Sequence, residues 1–149
     1  MADLLLLPVD QPDMNKLEEA YEVAADLARP CADATIKVPR FFQYDGASIP
    51  PPAWQIIGTP FQPRFMTAAV FHDWVYHTHQ VGFDAANQLF HDLLVQDGVQ
   101  KTKAALMKLA VDTFGKAYWE NDPDDLAYLA RLKQRIAQDG RDPADYGMA

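Results

Sequence analysis

One cysteine, Cys31, is all the thiol chemistry in this chain, so no internal disulfide can form and no multi-cysteine zinc site can be built. That excludes a small disulfide-stapled secreted scaffold and makes a reducing compartment the expectation. Basic charge is also scarce. Thirteen Lys and Arg face 21 Asp and Glu, a formal charge of -8, which disfavours phosphate backbones and anionic lipid headgroups as main partners. Long apolar runs are missing too: the opening "MADLLLLPVD" has four leucines in a row, an acid where a signal peptide carries a base, and a break at Pro8. No signal peptide, no membrane span and no nucleic acid are therefore expected. The leucine segment reads as a short edge strand or a piece tucked onto the core, with an arm docked on a neighbouring subunit as the alternative. P-loop, GxGxxG and GxSxG patterns are absent, which removes nucleotide-binding and α/β-hydrolase classes.

The 149 residues, 49% hydrophobic and 23% charged, fit one globular domain spanning 1–149 around a single core. Between Met14 and Phe42 two periods compete. Leu17, Tyr21, Ala24 and Ala28 have helical spacing, while Tyr21, Val23, Ala25 and Leu27 alternate as in a half-buried strand. "ATIKVPRFFQY" favours a strand as far as Pro39, so a small antiparallel sheet is expected here. "YDGASIPPPAW" is a stiff loop, because Asp45-Gly46 suits a turn and Pro50 to Pro52 force an extended, donor-poor backbone. A short helical turn, "PPAWQIIG", follows.

From there the chain turns helical. Arg64 to Tyr76 carries apolar groups on every side, as a helix surrounded by protein does. "FDAANQLFHDLLVQDG" places Ala86, Leu89, Phe90, Leu93 and Leu94 on one face, and the next segment repeats the pattern with Leu106, Leu109, Ala110, Thr113 and Ala117. A last helix, about 123–139, has Asp122 as its cap, Pro123 in the first position, Asp124 and Asp125 in the first turn and Gly140 beyond its end. The tail "RDPADYGMA" reads as surface coil. The predicted class is α+β, mostly helical, with a small N-terminal antiparallel sheet packed on a bundle of three to four helices.

Inside the apolar run "AVFHDWVY" sit His72 and Asp73. His72 and Tyr76 are four residues apart and share a helix face; Asp73 lies three residues before Tyr76 and four before His77. An imidazole and a carboxylate in an apolar setting cost several kcal/mol unless a network, a wet cleft or an ion satisfies them. Two roles fit. His72 acts as a general base or metal ligand, with Asp73 orienting it or a cation and Tyr76 donating its hydroxyl, or the same groups clamp the stiff loop to the helix. Asp45 and Ser48 in that loop are candidate members of the site, and a divalent cation near Asp45 and Asp73 is the cofactor to look for. On the next helix Asn87 and His91 lie off the apolar face, with Asn87 within reach of His72 if the helices pack antiparallel. His77 and His79 do not have helical metal-pair spacing and read as loop histidines.

"VPRFFQYDGASIP", "AAVFHDWVYHT", "AANQLFHDLLVQDGV" and "FGKAYW", in this order over about 35–119, resemble the DUF1353 family, small proteins found mostly in tailed phages and prophages. The resemblance implies that Asp45, Ser48 and Pro50 belong to its first motif and His72, Asp73 and Tyr76 to its second. Where the family typically has Ala-Asp, this chain has Ala86-Asn87, which can hydrogen-bond His72 but offers no anionic ligand. His-Asp-x-x-Tyr is also similar to secreted phospholipase A2, but that enzyme's glycine-rich calcium loop and disulfides are missing here. Two functions are expected on this basis: a virion- or lysis-associated hydrolase, or a non-catalytic virion or tail assembly component with a buried clamp. The implied location is the virion or host cytoplasm, and the implied partners are other phage virion proteins or copies of the chain itself.

Overall fold

The structure, a computed structural model, describes residues 6–8, 21–31, 34–44, 49–57 and 63–148. Short strands come first: β1 (Leu6–Pro8), β2 (Tyr21–Val23), β3 (Leu27–Cys31), β4 (Ala34–Val38) and β5 (Gln43–Tyr44). Helices follow: α1 (Pro51–Ile57), α2 (Pro63–Thr78), α3 (Phe83–Gln96), α4 (Lys101–Phe114), α5 (Lys116–Trp119) and α6 (Pro123–Gln138). This is the mostly helical α+β class expected. The chain forms two compact units, one holding the described residues up to 44 and those from 121 on, the other holding residues 49–120.

In the first unit the strands form two antiparallel sheets, β1-β2-β5 and β3-β4, where one was expected. The competing periods at 21–28 resolve as strand. The alternating set contributes Val23 and Leu27, both fully buried, whereas Ala24 and Ala28 of the helical set have little apolar area to hide. In β4, Ile36 and Val38 point inward and Lys37 outward, with Leu27 opposite Val38.

The turn before β5 puts Phe41 at φ 86, a conformation that costs a non-glycine residue about 1 kcal/mol or more. Guanidinium groups offset it: Arg135 lies 3.9 Å and Arg40 4.9 Å from the ring centroid. Helix α6 belongs to this unit. Its start is local chemistry, since Asp122 accepts from the Asp125 N–H while the Asp125 side chain accepts from the Asp122 N–H, and Pro123 follows the cap. Its Tyr128 hydroxyl accepts from the Gln43 N–H at 2.8 Å. The tail departs from the expected coil. It forms a 3-10 turn, Pro143–Tyr146, that buries Tyr146 and Met148, and the Tyr146 hydroxyl donates to Asp26. Burial pushes the Asp26 carboxyl up, but the Arg40 N–H, Tyr146 and Arg141 together hold it below the usual range.

In the second unit α2 packs on α3, α3 on α4, and α1 on α4, with α5 closing against α2 and α4. Helix α2 is buried on all sides from Ala68 to Tyr76, as its apolar circumference requires. Helix α3 buries the predicted face. Helix α4 does so only at Ala110: Leu106 and Leu109 are exposed, and Ala104, Met107 and Val111 are buried beside Ala110. Three of those four are small or β-branched, which suits close approach of a helix to its neighbours better than a leucine ridge does.

Candidate functional site

Four polar or hydroxyl-bearing side chains are buried inside the helical unit, and His72, Tyr76 and Asn87 meet there. On α2, His72 is 0% and Asp73 1% exposed, and Tyr76 is buried one turn on; on α3, Asn87 is 0% exposed. The 3.6-residue period stacks His72 under Tyr76, with ring centroids 4.1 Å apart, and Phe90 covers the imidazole at 4.8 Å. Asn87 is the hub. Its Oδ1 lies 2.9 Å from His72 Nε2 and 2.8 Å from the Tyr76 hydroxyl, and its Nδ2 donates to Asp112 Oδ1 at 2.9 Å. Asp112 on α4 takes its second oxygen to Lys108 Nζ at 2.6 Å.

This chain of bonds fixes the proton positions. A carboxylate only accepts, so the Asn87 amide nitrogen must face Asp112 and its oxygen must face α2. Both α2 groups then donate, and the neutral His72 is the Nε2–H tautomer with Nδ1 as its accepting nitrogen. Burial pushes the His72 pKa down to about 4, against the smaller upward pull of the Asn87 bond and the Asp112 charge. The imidazole is neutral at pH 7. Burial likewise raises the Tyr76 hydroxyl well above its ordinary range, so it stays a donor.

Asn87 thus occupies the buried face of α3, not the position off it that its polarity suggested. Its approach to His72 was legible from spacing; Asp112 and Lys108 were not singled out, although Asp112 is the only acid between residues 101 and 119 and has a lysine four residues before it. His91 stays with its neighbour Asp92 at 3.0 Å. His77 donates from Nδ1 to the Asp73 backbone carbonyl, and His79 stacks on Trp119 at 4.1 Å while donating to its carbonyl. Asp45 and Ser48 lie outside the described residues, as does half of the Asp45–Asp73 cation pair. Among the described residues no three His, Cys, Asp or Glu side chains gather as a metal site would need.

Gly115, between α4 and α5, was also missed. A Cβ there would sit 2.5 Å from the Tyr76 hydroxyl and clash with the Val111 carbonyl. Gly115→Ala is expected to push Tyr76 off Asn87 and destabilise the protein by about 2 kcal/mol, read by urea unfolding. A change under about 0.5 kcal/mol would show that Tyr76 is not held against this glycine.

Comparison with known proteins gives a family and no activity. The model of the family described as "Protein of unknown function (DUF1353)" matches residues 17–111, and the chain belongs to that family. The matched region begins upstream of the resemblance seen in the sequence and takes in β2 and β3. Two uncharacterized proteins of Sinorhizobium fredii (strain NBRC 101917 / NGR234) are similar. One, y4iH, is 34% identical over 67% of this chain and 41% of its own length; the other, y4jT, is 37% identical over 52% of this chain and 23% of its own. The chain spans less than half the length of these curated relatives. No solved structure matches it.

Proposed function

We propose that this DUF1353 member is a non-catalytic assembly component in which the His72 centre is a clamp joining α2, α3 and α4. The observation that carries this reading is burial: His72, Asp73 and Asn87 are 0%, 1% and 0% exposed, and Asn87 spends both ends of its amide on α2 and α4. An imidazole whose pKa is pushed to about 4 is also a poor match for general-base work near neutral pH. In the phage or prophage setting that the sequence resemblance implies, such a component acts in the virion or during its assembly in the host cytoplasm.

A second reading, a small hydrolase, is favoured by one feature. The Asp112–Asn87 relay orients His72 so that Nδ1 is the basic nitrogen, much as a carboxylate orients a catalytic imidazole. His72→Gln separates the two. Its amide nitrogen reaches the position of Nε2–H and donates to Asn87, but it cannot take a proton. The clamp predicts a folded variant with a melting temperature close to that of the wild type, and no His72-dependent turnover of phospholipid or cell-wall substrates. Turnover by the wild type that drops about a hundredfold or more in His72→Gln, at unchanged melting temperature, would sink the clamp and support the hydrolase.

A further inference from the structure

Among the described residues, four of the five exposed large apolar side chains come from one stretch of the chain. Leu106 (49%), Leu109 (60%), Phe114 (50%) and Tyr118 (42%) all lie on α4 and α5. At 100° per residue Leu106, Leu109 and Thr113 form one strip, opposite the buried Met107 and Val111, so α4 is apolar on two faces and covered on one. An exposed apolar strip of this kind marks an interaction site. Its charge is the reverse of the chain's. Lys101, Lys103, Lys108 and Lys116 are four of the seven lysines, and the one acid in the segment, Asp112, is already bound to Lys108 and Asn87. The occupant that complements it is apolar and acidic.

The remaining exposed large apolar side chain among the described residues has that chemistry. Leu126 (56%) projects from the first turn of α6, where Asp122, Asp124 and Asp125 stand and Glu120 precedes them. We propose that the Leu126 turn of one copy docks on the α4–α5 face of a second copy. The two patches differ, so each copy offers both halves of the contact, and copies associate either reciprocally as a two-fold dimer or head to tail. An isologous α4-on-α4 pairing would set lysine against lysine, and a net charge of -8 opposes an anionic membrane as the occupant. The inference rests on the assembly reading and gives it a partner, while its test is independent of His72.

The test uses the full chain in sedimentation velocity, across micromolar to millimolar concentration, with two surface variants whose melting temperatures are checked against the wild type. Leu109→Glu spoils the receiving face and keeps the Leu126 turn; Leu126→Ser does the reverse. The wild type is expected to self-associate as concentration rises, and each variant alone to stay monomeric. An equimolar mixture of the two is expected to form one-to-one dimers and nothing larger, since only one intact contact can be made. A wild type that stays monomeric throughout, or a mixture that does, overturns the proposal. So does a dimer abolished by Leu109→Glu but untouched by Leu126→Ser, which would mark an α4-on-α4 contact. Monomeric protein that binds phosphatidylserine vesicles through Leu109 overturns it in favour of a membrane.

Discussion

Asn87→Leu is expected to destabilise the protein by about 4 kcal/mol, even though leucine keeps the branched shape of the amide. The loss comes from what the amide leaves behind. The His72 Nε2–H and the Tyr76 O–H, both buried, lose their shared acceptor, and each such group costs about 1–3 kcal/mol when nothing replaces the bond. Asp112 also loses a donor, but it is half-buried, keeps Lys108 and can turn to water, so it adds little. Urea unfolding at pH 7 reads the difference. A loss below about 1 kcal/mol would mean that the two α2 donors find other acceptors and that Asn87 is not the hub.

Acid is the second large effect. The unfolded chain binds a proton on His72 near pH 6.5, but the folded protein resists until about pH 4, because burial disfavours the imidazolium. Between those values the unfolded state holds more protons, so stability rises with pH across the window and is lost as pH falls through it. The sign is that of a base whose folded pKa is depressed: the contribution is intact above about pH 6.5 and gone by about pH 4. At roughly 1.4 kcal/mol per unit, the loss approaches about 3 kcal/mol. Carboxylates titrate in the same range, so the informative quantity is the wild type minus His72→Gln, which lacks the titrating ring. Parallel pH curves for the two proteins would contradict a depressed His72.

Which parts were legible in the sequence follows from how local their causes are. The α6 cap is written in Asp122, Pro123 and Asp125 and forms as read. The burial of α2 follows from an apolar circumference and needs no knowledge of its neighbours. Helix α4 was placed with the wrong face inward, since periodicity finds stripes but does not say which of two stripes a neighbour will cover. The winning stripe is the one with alanines, which allow close packing, and the losing one carries the leucines. The β2–β3 region satisfied two periods at once, and only the pairing partners decided it, β5 beside β2 and the adjacent hairpin strand β4 beside β3. The same limit hid the outer part of the site. His72, Asp73 and Tyr76 announce themselves as polar groups in an apolar run, but Asp112 acquires its role only when α4 packs on α3, and Gly115 only when Tyr76 arrives beside it. The tail looked like coil because Tyr146 and Met148 are isolated apolar residues, and the Asp26 carboxylate that accepts from the Tyr146 hydroxyl lies far back in the chain.

The clamp stands or falls on the state of one imidazole. Long-range nitrogen–proton correlation spectra of histidine-labelled protein, followed from pH 7.5 down to pH 4.5, report tautomer and charge for each ring separately. His72 is expected as the Nε2–H tautomer, with a slowly exchanging ring proton and no charging above about pH 5. An Nδ1–H tautomer would contradict the Nε2–H bond to Asn87, and a ring that titrates near 6.5 with fast exchange would place His72 in water; either result contradicts the account.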